Sequence, residues 1–110
     1  MKVEKKGNTT IIKNTKGNTK DFFEKVHKEF NAYKNQNLIL DLNFDASITV
    51  EDLKLFQNII KTIKKNKKSI ILVTKALNLN KVPKEIPVAP TLLEAHDLIE
   101  MEEIERDLGF

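Results

Sequence analysis

The fold is decided by the stretch Leu38-Ile39-Leu40-Asp41-Leu42. It has the length of a strand, and it lacks the alternation of apolar and polar residues that a strand with one solvated face shows. Residues 69–74, with the sequence Ser-Ile-Ile-Leu-Val-Thr, follow the same pattern. We therefore expect both runs to form central strands of one sheet, buried on both faces.

Shorter strand patterns lie outside these two runs. Residues 3–6 and 9–13 flank Gly7-Asn8, and the second segment is rich in Thr and Ile, so that they predict a hairpin. Three prolines between residues 83 and 90 exclude a continuous helix there, although residues 86–89 have room for a short edge strand.

Three segments have helical spacing of apolar residues. The first is expected to begin at a cap near Asn18 or Thr19 and to end near Asn35, and the second to run from Thr49 to the lysines at residues 64–68. The third covers residues 91–107, where Thr91 and Glu94 have the spacing of a capping box. Strands that alternate with helices predict an α/β fold, with a mixed sheet of four to five strands flanked by helices.

Composition limits the class of protein. The 110 residues suffice for one domain, and 40% hydrophobic with 32% charged residues is a globular balance. The absence of cysteine excludes disulfides and thiolate metal sites. The N-terminus lacks the apolar run of a signal peptide, and no apolar stretch approaches the roughly 20 residues of a membrane span. We expect a soluble cytoplasmic domain.

Charge is divided unevenly along the chain. Residues 1–84 carry 18 Lys against 8 acidic residues, a net charge of +10, whereas residues 85–110 carry one Arg against 8 acidic residues, a net charge of −7. Such asymmetry can indicate binding of nucleic acid or an acidic interaction tail. It also arises when the two parts face each other within the fold, and that is the arrangement we expect.

The order of elements, the stretch Leu38 to Leu42 and the C-terminal Pro90-Thr91-Leu92-Leu93-Glu94-Ala95 together resemble the STAS domain. This family includes the anti-sigma factor antagonists and the cytoplasmic domains of sulfate transporters. The resemblance spans nearly the whole chain and implies a non-enzymatic regulator that binds a partner protein, often under the control of Ser or Thr phosphorylation.

The resemblance also locates a switch segment at the start of the second helix. The family has an Asp-Ser-Ser/Thr-Gly-Leu motif there, whereas this chain has Thr49-Val50-Glu51-Asp52-Leu53, with Glu51 at the phosphorylatable position. We therefore expect an interaction surface at Ser47, Thr49, Glu51 and Asp52 that is not controlled by phosphorylation. The acidic side chains also suit the first turn of a helix.

The C-terminal tail offers a second candidate surface. Its apolar residues lie among seven acidic residues between Glu94 and Asp107, and they are Met101, Ile104, Leu108 and Phe110. They either pack on the domain's own sheet or anchor the tail on a partner, and beyond about Met101 we expect the second. The tail also resembles the ending of short bacterial STAS-like proteins sometimes labelled ribonuclease Z. This chain lacks the His-x-His-x-Asp-His metal motif of that enzyme.

No pattern of catalytic or metal-binding residues emerges. The two histidines lack partners at ligand spacing, the three glycines are far apart, and there is no Gly-x-Ser-x-Gly motif. We expect no catalytic residues, no metal and no cofactor, and five of the six phenylalanines, at residues 22, 23, 30, 44 and 56, are expected in the core.

A basic patch leaves nucleic-acid binding open. It comprises five lysines at and beyond the end of the second helix, namely Lys61, Lys64, Lys65, Lys67 and Lys68. These lysines can contact phosphates, although one Arg and one Tyr supply little base recognition. The first functional hypothesis is therefore a STAS-like protein-binding regulator. The alternative is a basic accessory domain associated with an RNA-processing enzyme such as ribonuclease Z.

Overall fold

One five-stranded sheet organises residues 1–109, the part of the chain that the computed structural model describes. Its strands lie side by side in chain order: β1 (Lys2–Lys6), β2 (Thr9–Lys13), β3 (Asn37–Asp41), β4 (Ile70–Val73) and β5 (Val88–Ala89). The β1–β2 pair is antiparallel, and the other pairs are parallel. The predicted α/β fold with a mixed sheet is confirmed.

Strands β3 and β4 occupy the centre of the sheet, and every residue of both is buried. Their side chains alternate between two separate cores, so that Leu40 and Leu72 face one side and Ile39 and Ile71 the other. The prediction of two central strands is confirmed. The hairpin is also confirmed, with Gly7 at a φ of 61° in its two-residue turn.

Within residues 1–109, four α-helices cover the two faces of the sheet. One face packs against α1 (Thr19–Lys28), α2 (Val50–Lys54) and α3 (Gln57–Lys65), whose core residues include Phe22, Leu53 and Ile63. The other face packs against α4 (Leu92–Asp107) through Ala95 and Ile99. The acidic helix therefore lies across the sheet from the lysine-bearing α1 and α3, whereas Lys6 of the hairpin lines a groove together with Glu100 and Glu103 of α4. The expectation that the acidic and basic parts face each other therefore holds for the hairpin and fails for α1 and α3.

Helix α1 is shorter than the apolar spacing predicts. It ends at Lys28, and Phe30–Ala32 form a 3₁₀ helix instead of continuing to Asn35. The Tyr33 amide donates to the Phe30 carbonyl, a bond between residues three apart. Since Phe30 and Tyr33 are themselves three apart, the tighter winding keeps both partly buried against the core.

The second predicted helix is divided into α2 and α3. The amides of Leu55 and Phe56 donate to carbonyls three residues back, those of Asp52 and Leu53, which tightens the turn and ends α2. Phe56 is then fully buried, and α3 begins directly after it. In a continuous α-helix, apolar residues spaced by three would rotate progressively away from one another. The break allows them to face one core.

Candidate interaction surfaces

The described residues 1–109 contain no group of three or more His, Asp or Glu side chains placed to hold a metal ion. His27 is exposed and stacks on Phe23, with ring centroids 5.5 Å apart. None of the helices in this part of the chain has the length and apolar character that a membrane crossing requires. The candidates that the sequence predicts are surfaces at which another molecule can dock.

The first candidate surface is the loop between β3 and α2, residues 42–49, at the carboxyl edge of the parallel strands. Asp45 fixes this loop to the start of α1: its Oδ2 accepts 2.9 Å hydrogen bonds from both the amide and the hydroxyl of Thr19. Its Oδ1 accepts a 3.0 Å bond from the Ser47 amide. One carboxylate thus holds two segments that are 26 residues apart in the chain.

The ionised form of Asp45 is favoured by this arrangement. Desolvation alone would raise the pKa of its carboxyl, but the hydrogen bonds from Thr19 and Ser47 outweigh that effect and lower the pKa below its ordinary value. Asp45 therefore carries its charge throughout the neutral range, and the bonds that it accepts are charge-assisted.

A second tie joins this loop to the one after β4. The Lys75 amide donates a 2.8 Å hydrogen bond to Oδ1 of Asn43, and Ala46 and Ala76 complete the lining of a shallow depression between the two loops. Beside Asn43 in the chain stands Phe44, whose exposed fraction is 57%. The expectation that Phe44 belongs to the core is wrong, because it follows Leu42 and Asn43 in a turn that leaves the sheet.

The predicted switch residues lie at the end of this loop and in the first turn of α2. Thr49 and Asp52 form a reciprocal capping box, in which Thr49 Oγ1 accepts from the Asp52 amide at 3.2 Å and Asp52 Oδ2 accepts from the Thr49 amide at 2.9 Å. Glu51 is exposed and pairs with Lys54 at 3.3 Å, while Ser47 is exposed. Thr49 and Asp52 thus build the helix start, and Ser47 and Glu51 are left for contact.

The second candidate surface is the basic patch. All five of its lysines are exposed, and they lie at and beyond the end of α3, next to the amino end of β4. Asn66 fixes this corner by donating a 2.8 Å bond to the Lys34 carbonyl. The patch and the β3–α2 loop therefore lie at opposite ends of the sheet, and one small ligand cannot contact both.

The third candidate surface is the outer side of α4. Met101, Ile104 and Leu108 are 58%, 57% and 66% exposed, and their spacing places them on one side of the helix. We call these three residues the α4 stripe. Phe110, the fourth residue of the predicted tail anchor, lies outside the described residues.

The inner side of the same segment is held to the sheet by polar contacts. The hydroxyl of the buried Ser69 donates a 2.6 Å bond to Glu102 and accepts a 3.0 Å bond from Arg106. Asn37 donates a 3.2 Å bond to Glu103. The last turns of α4 are therefore docked through their polar side, while the apolar α4 stripe faces outward.

A shallow groove of about 690 Å³ separates α4 from the β1–β2 hairpin, because one helix does not cover five strands. Half-buried His96 lines it together with Lys6. Burial and the nearby Lys6 ammonium lower the pKa of His96, against the opposing effect of Asp97 and Glu100. The neutral form of the imidazole is therefore favoured.

The sequence matches no protein family model, and no curated protein matches it. The fold is similar to that of a solved structure, the NMR structure of the protein TM1081, with a TM-score of 0.59 and 22% sequence identity. The similarity covers 89% of this chain and 86% of that chain. At this level of identity the likeness shows a shared α/β fold and nothing about function.

Proposed function

We propose that this chain is a non-enzymatic regulatory protein of the STAS type that binds a partner protein through the β3–α2 loop. The resemblance of the sequence to STAS domains supports the class of protein, and the five-stranded α/β fold is compatible with it. Glu51 stands where the family has its phosphorylatable residue. The proposed regulator therefore binds its partner without a phosphorylation step at that position.

The observation that carries this proposal is the exposed ring of Phe44 on a loop that is fixed on two sides. Aromatic side chains on rigid supports contribute most to protein–protein affinity, because little conformational entropy is lost when they are buried. Asp45 ties this loop to α1, and Asn43 ties it to the loop after β4. The loop that carries the ring is thus held in a defined position, and the exposed Ser47 belongs to the same loop.

Capture on the immobilised domain tests this proposal. We expect Phe44→Ala to weaken partner binding by about 2 kcal/mol or about 30-fold, the range of an interface hot spot. The matched control is Leu93→Ala, which truncates a 73% exposed apolar residue on α4. Equal binding by Phe44→Ala and the wild-type domain would exclude the loop as the binding site.

The alternative, a basic accessory domain of an RNA-processing enzyme, is favoured by the exposure of all five lysines of the basic patch. Salt separates the two hypotheses. Binding to phosphates weakens by orders of magnitude between low and moderate salt, whereas a packed protein interface changes little. Loss of binding on nuclease treatment, together with loss in Lys64→Ala/Lys65→Ala, would favour the alternative.

A further inference from the structure

The α4 stripe is unusual in lying on the opposite side of its helix from a second apolar surface. Ala95 and Ile99 bury the inner side against the sheet, whereas Met101 and Ile104 remain more than half exposed. An isolated exposed apolar residue needs no explanation, but three in a row on one side of a helix are typical of a docking site.

The surroundings of the α4 stripe are acidic. Five exposed carboxylates belong to the same helix: Glu94, Asp97, Glu100, Glu105 and Asp107. Arg106 does not offset them at the outer surface, since its guanidinium turns inward and donates to Ser69. The occupant of this surface must therefore present an apolar depression with a cationic rim.

The chain itself contains such a depression on the far side of the molecule. A hollow of about 700 Å³ lies between β1 and α1, lined by Met1, Val3, Lys25, Lys28, Glu29 and Tyr33. Val3 is 44% exposed, and two exposed lysines, Lys25 and Lys28, outnumber the one exposed carboxylate of the lining, Glu29, so that the rim has a net positive charge. We call this depression the β1–α1 hollow.

We propose that the α4 stripe of one molecule docks in the β1–α1 hollow of a second copy. Met101 and Ile104 fill the apolar floor, and the carboxylates beside them meet Lys25 and Lys28. The two surfaces lie on opposite faces of the sheet, because α1 packs on one face and α4 on the other. Each contact therefore leaves one stripe and one hollow unused, and association continues head to tail instead of closing as a dimer.

Symmetric pairing of two α4 helices through their stripes is the competing arrangement. It would bring two acidic helices together, each with seven carboxylates between Glu94 and Asp107. Such a contact is opposed by like charges and should strengthen as salt increases, whereas the head-to-tail contact should weaken. Salt dependence thus distinguishes the two arrangements.

Sedimentation of the purified chain over a range of concentrations up to about 1 mM tests the proposal, since a dissociation constant of about 1 mM already corresponds to weak binding. At about 0.01 M salt, where the Debye length is about 30 Å, we expect species larger than a dimer that increase with concentration. At about 0.15 M salt the Debye length is about 8 Å, and association should weaken.

Two double variants remove one surface each. Met101→Glu/Ile104→Glu changes the stripe, and Lys25→Glu/Lys28→Glu changes the hollow, and each should weaken self-association at least about tenfold. Because each variant retains the other surface, an equimolar mixture should form a heterodimer and nothing larger. The matched control, Lys61→Glu/Lys64→Glu, makes the same charge change outside the hollow and should associate like the wild type.

Circular dichroism verifies that each variant folds, and the milder pair Ile104→Ala and Lys28→Ala replaces any that does not. A wild-type chain that stays monomeric at about 1 mM and low salt would overturn the proposal. So would association that survives in the hollow variant alone, which would indicate pairing of stripes. The Phe44→Ala variant should lose partner capture and should self-associate like the wild type. The two proposals therefore fail independently.

Discussion

Replacement of Asp45 by Ala should destabilise the domain through Thr19. The Thr19 residue is fully buried, and both its amide and its hydroxyl lose their acceptor when the carboxylate is removed. A buried donor without a partner costs about 1–3 kcal/mol, whereas the Ser47 amide lies near solvent and can bond to water. We therefore expect Asp45→Ala to lower the free energy of unfolding by about 3 kcal/mol. Asp45→Asn keeps one acceptor oxygen and should lose about 1 kcal/mol.

Urea unfolding followed by circular dichroism measures these changes as shifts of the midpoint at a constant slope. The pKa of Asp45 is lower in the folded chain than its ordinary value of 3.8. Its charge therefore stabilises the fold above that value, and the stabilisation is lost as the pH falls through the lowered pKa. The difference between wild type and Asp45→Asn should accordingly be constant near neutral pH and should shrink below about pH 4.

The control is Asp97→Ala, which removes an exposed aspartate on α4 and should change stability by no more than about 0.5 kcal/mol. Hydrogen exchange at residues 43–48 should accelerate in Asp45→Ala, because the loop loses its tie to α1. An unfolding free energy of Asp45→Ala equal to that of the wild type would refute this role of Asp45. A difference between the wild type and Asp45→Asn that persists below the pKa values of Asp45 in both the folded and the unfolded chain would also refute it.

Two further changes test the ends of helices. Ser69→Ala removes the hydroxyl shared by Glu102 and Arg106, and we expect a loss of about 1–2 kcal/mol with faster hydrogen exchange in the last turns of α4; unchanged exchange there would contradict the polar docking. Lys67 has a φ of 59°, a conformation that costs a non-glycine residue about 1–2 kcal/mol. Glycine removes this cost but increases the entropy of the unfolded chain, so that we expect Lys67→Gly to stabilise the domain by about 0.5–1 kcal/mol. Lys67→Ala serves as its control, and thermal unfolding that ranks Gly at or below Ala would argue against strain at this position.

The central strands could be predicted because their composition admits one environment. Apart from Asp41, the stretch Leu38 to Leu42 is apolar on both faces, and the middle of a helix-covered sheet satisfies it. The capping residues were equally predictive, since Asn18, Thr49 and Thr91 each accept a hydrogen bond from the amide three residues on.

The helix ends could not be predicted in the same way. Apolar residues spaced by three are compatible with both α-helical and 3₁₀ winding, and the packing of Phe56 decides between them. The placement of α4 is a similar case, because the charge of a segment does not specify which face of a sheet it covers.

The candidate surfaces also differ in how far the sequence predicts them. The exposure of the basic patch follows from its composition. The apolar residues of the α4 stripe, which the sequence predicts as an anchor, lie on the outer side of the helix. Residue type alone predicts a core position for Phe44, because it carries no information about the turn. The signal that it leaves the sheet lies in its neighbours, since Asp41 and Asp45 each accept a hydrogen bond from the backbone amide two residues on, as such residues do in turns.

The most direct test of the proposed function is photo-crosslinking from residue 44 in the native host. Phe44→p-benzoylphenylalanine keeps an aromatic ring at a side chain that is already 57% exposed, and Lys61→p-benzoylphenylalanine places the same group in the basic patch. We predict one discrete protein adduct from residue 44 that excess wild-type domain abolishes, and no corresponding adduct from residue 61. A nuclease-sensitive adduct from residue 61, with none from residue 44, would contradict the assignment of a partner-binding regulator.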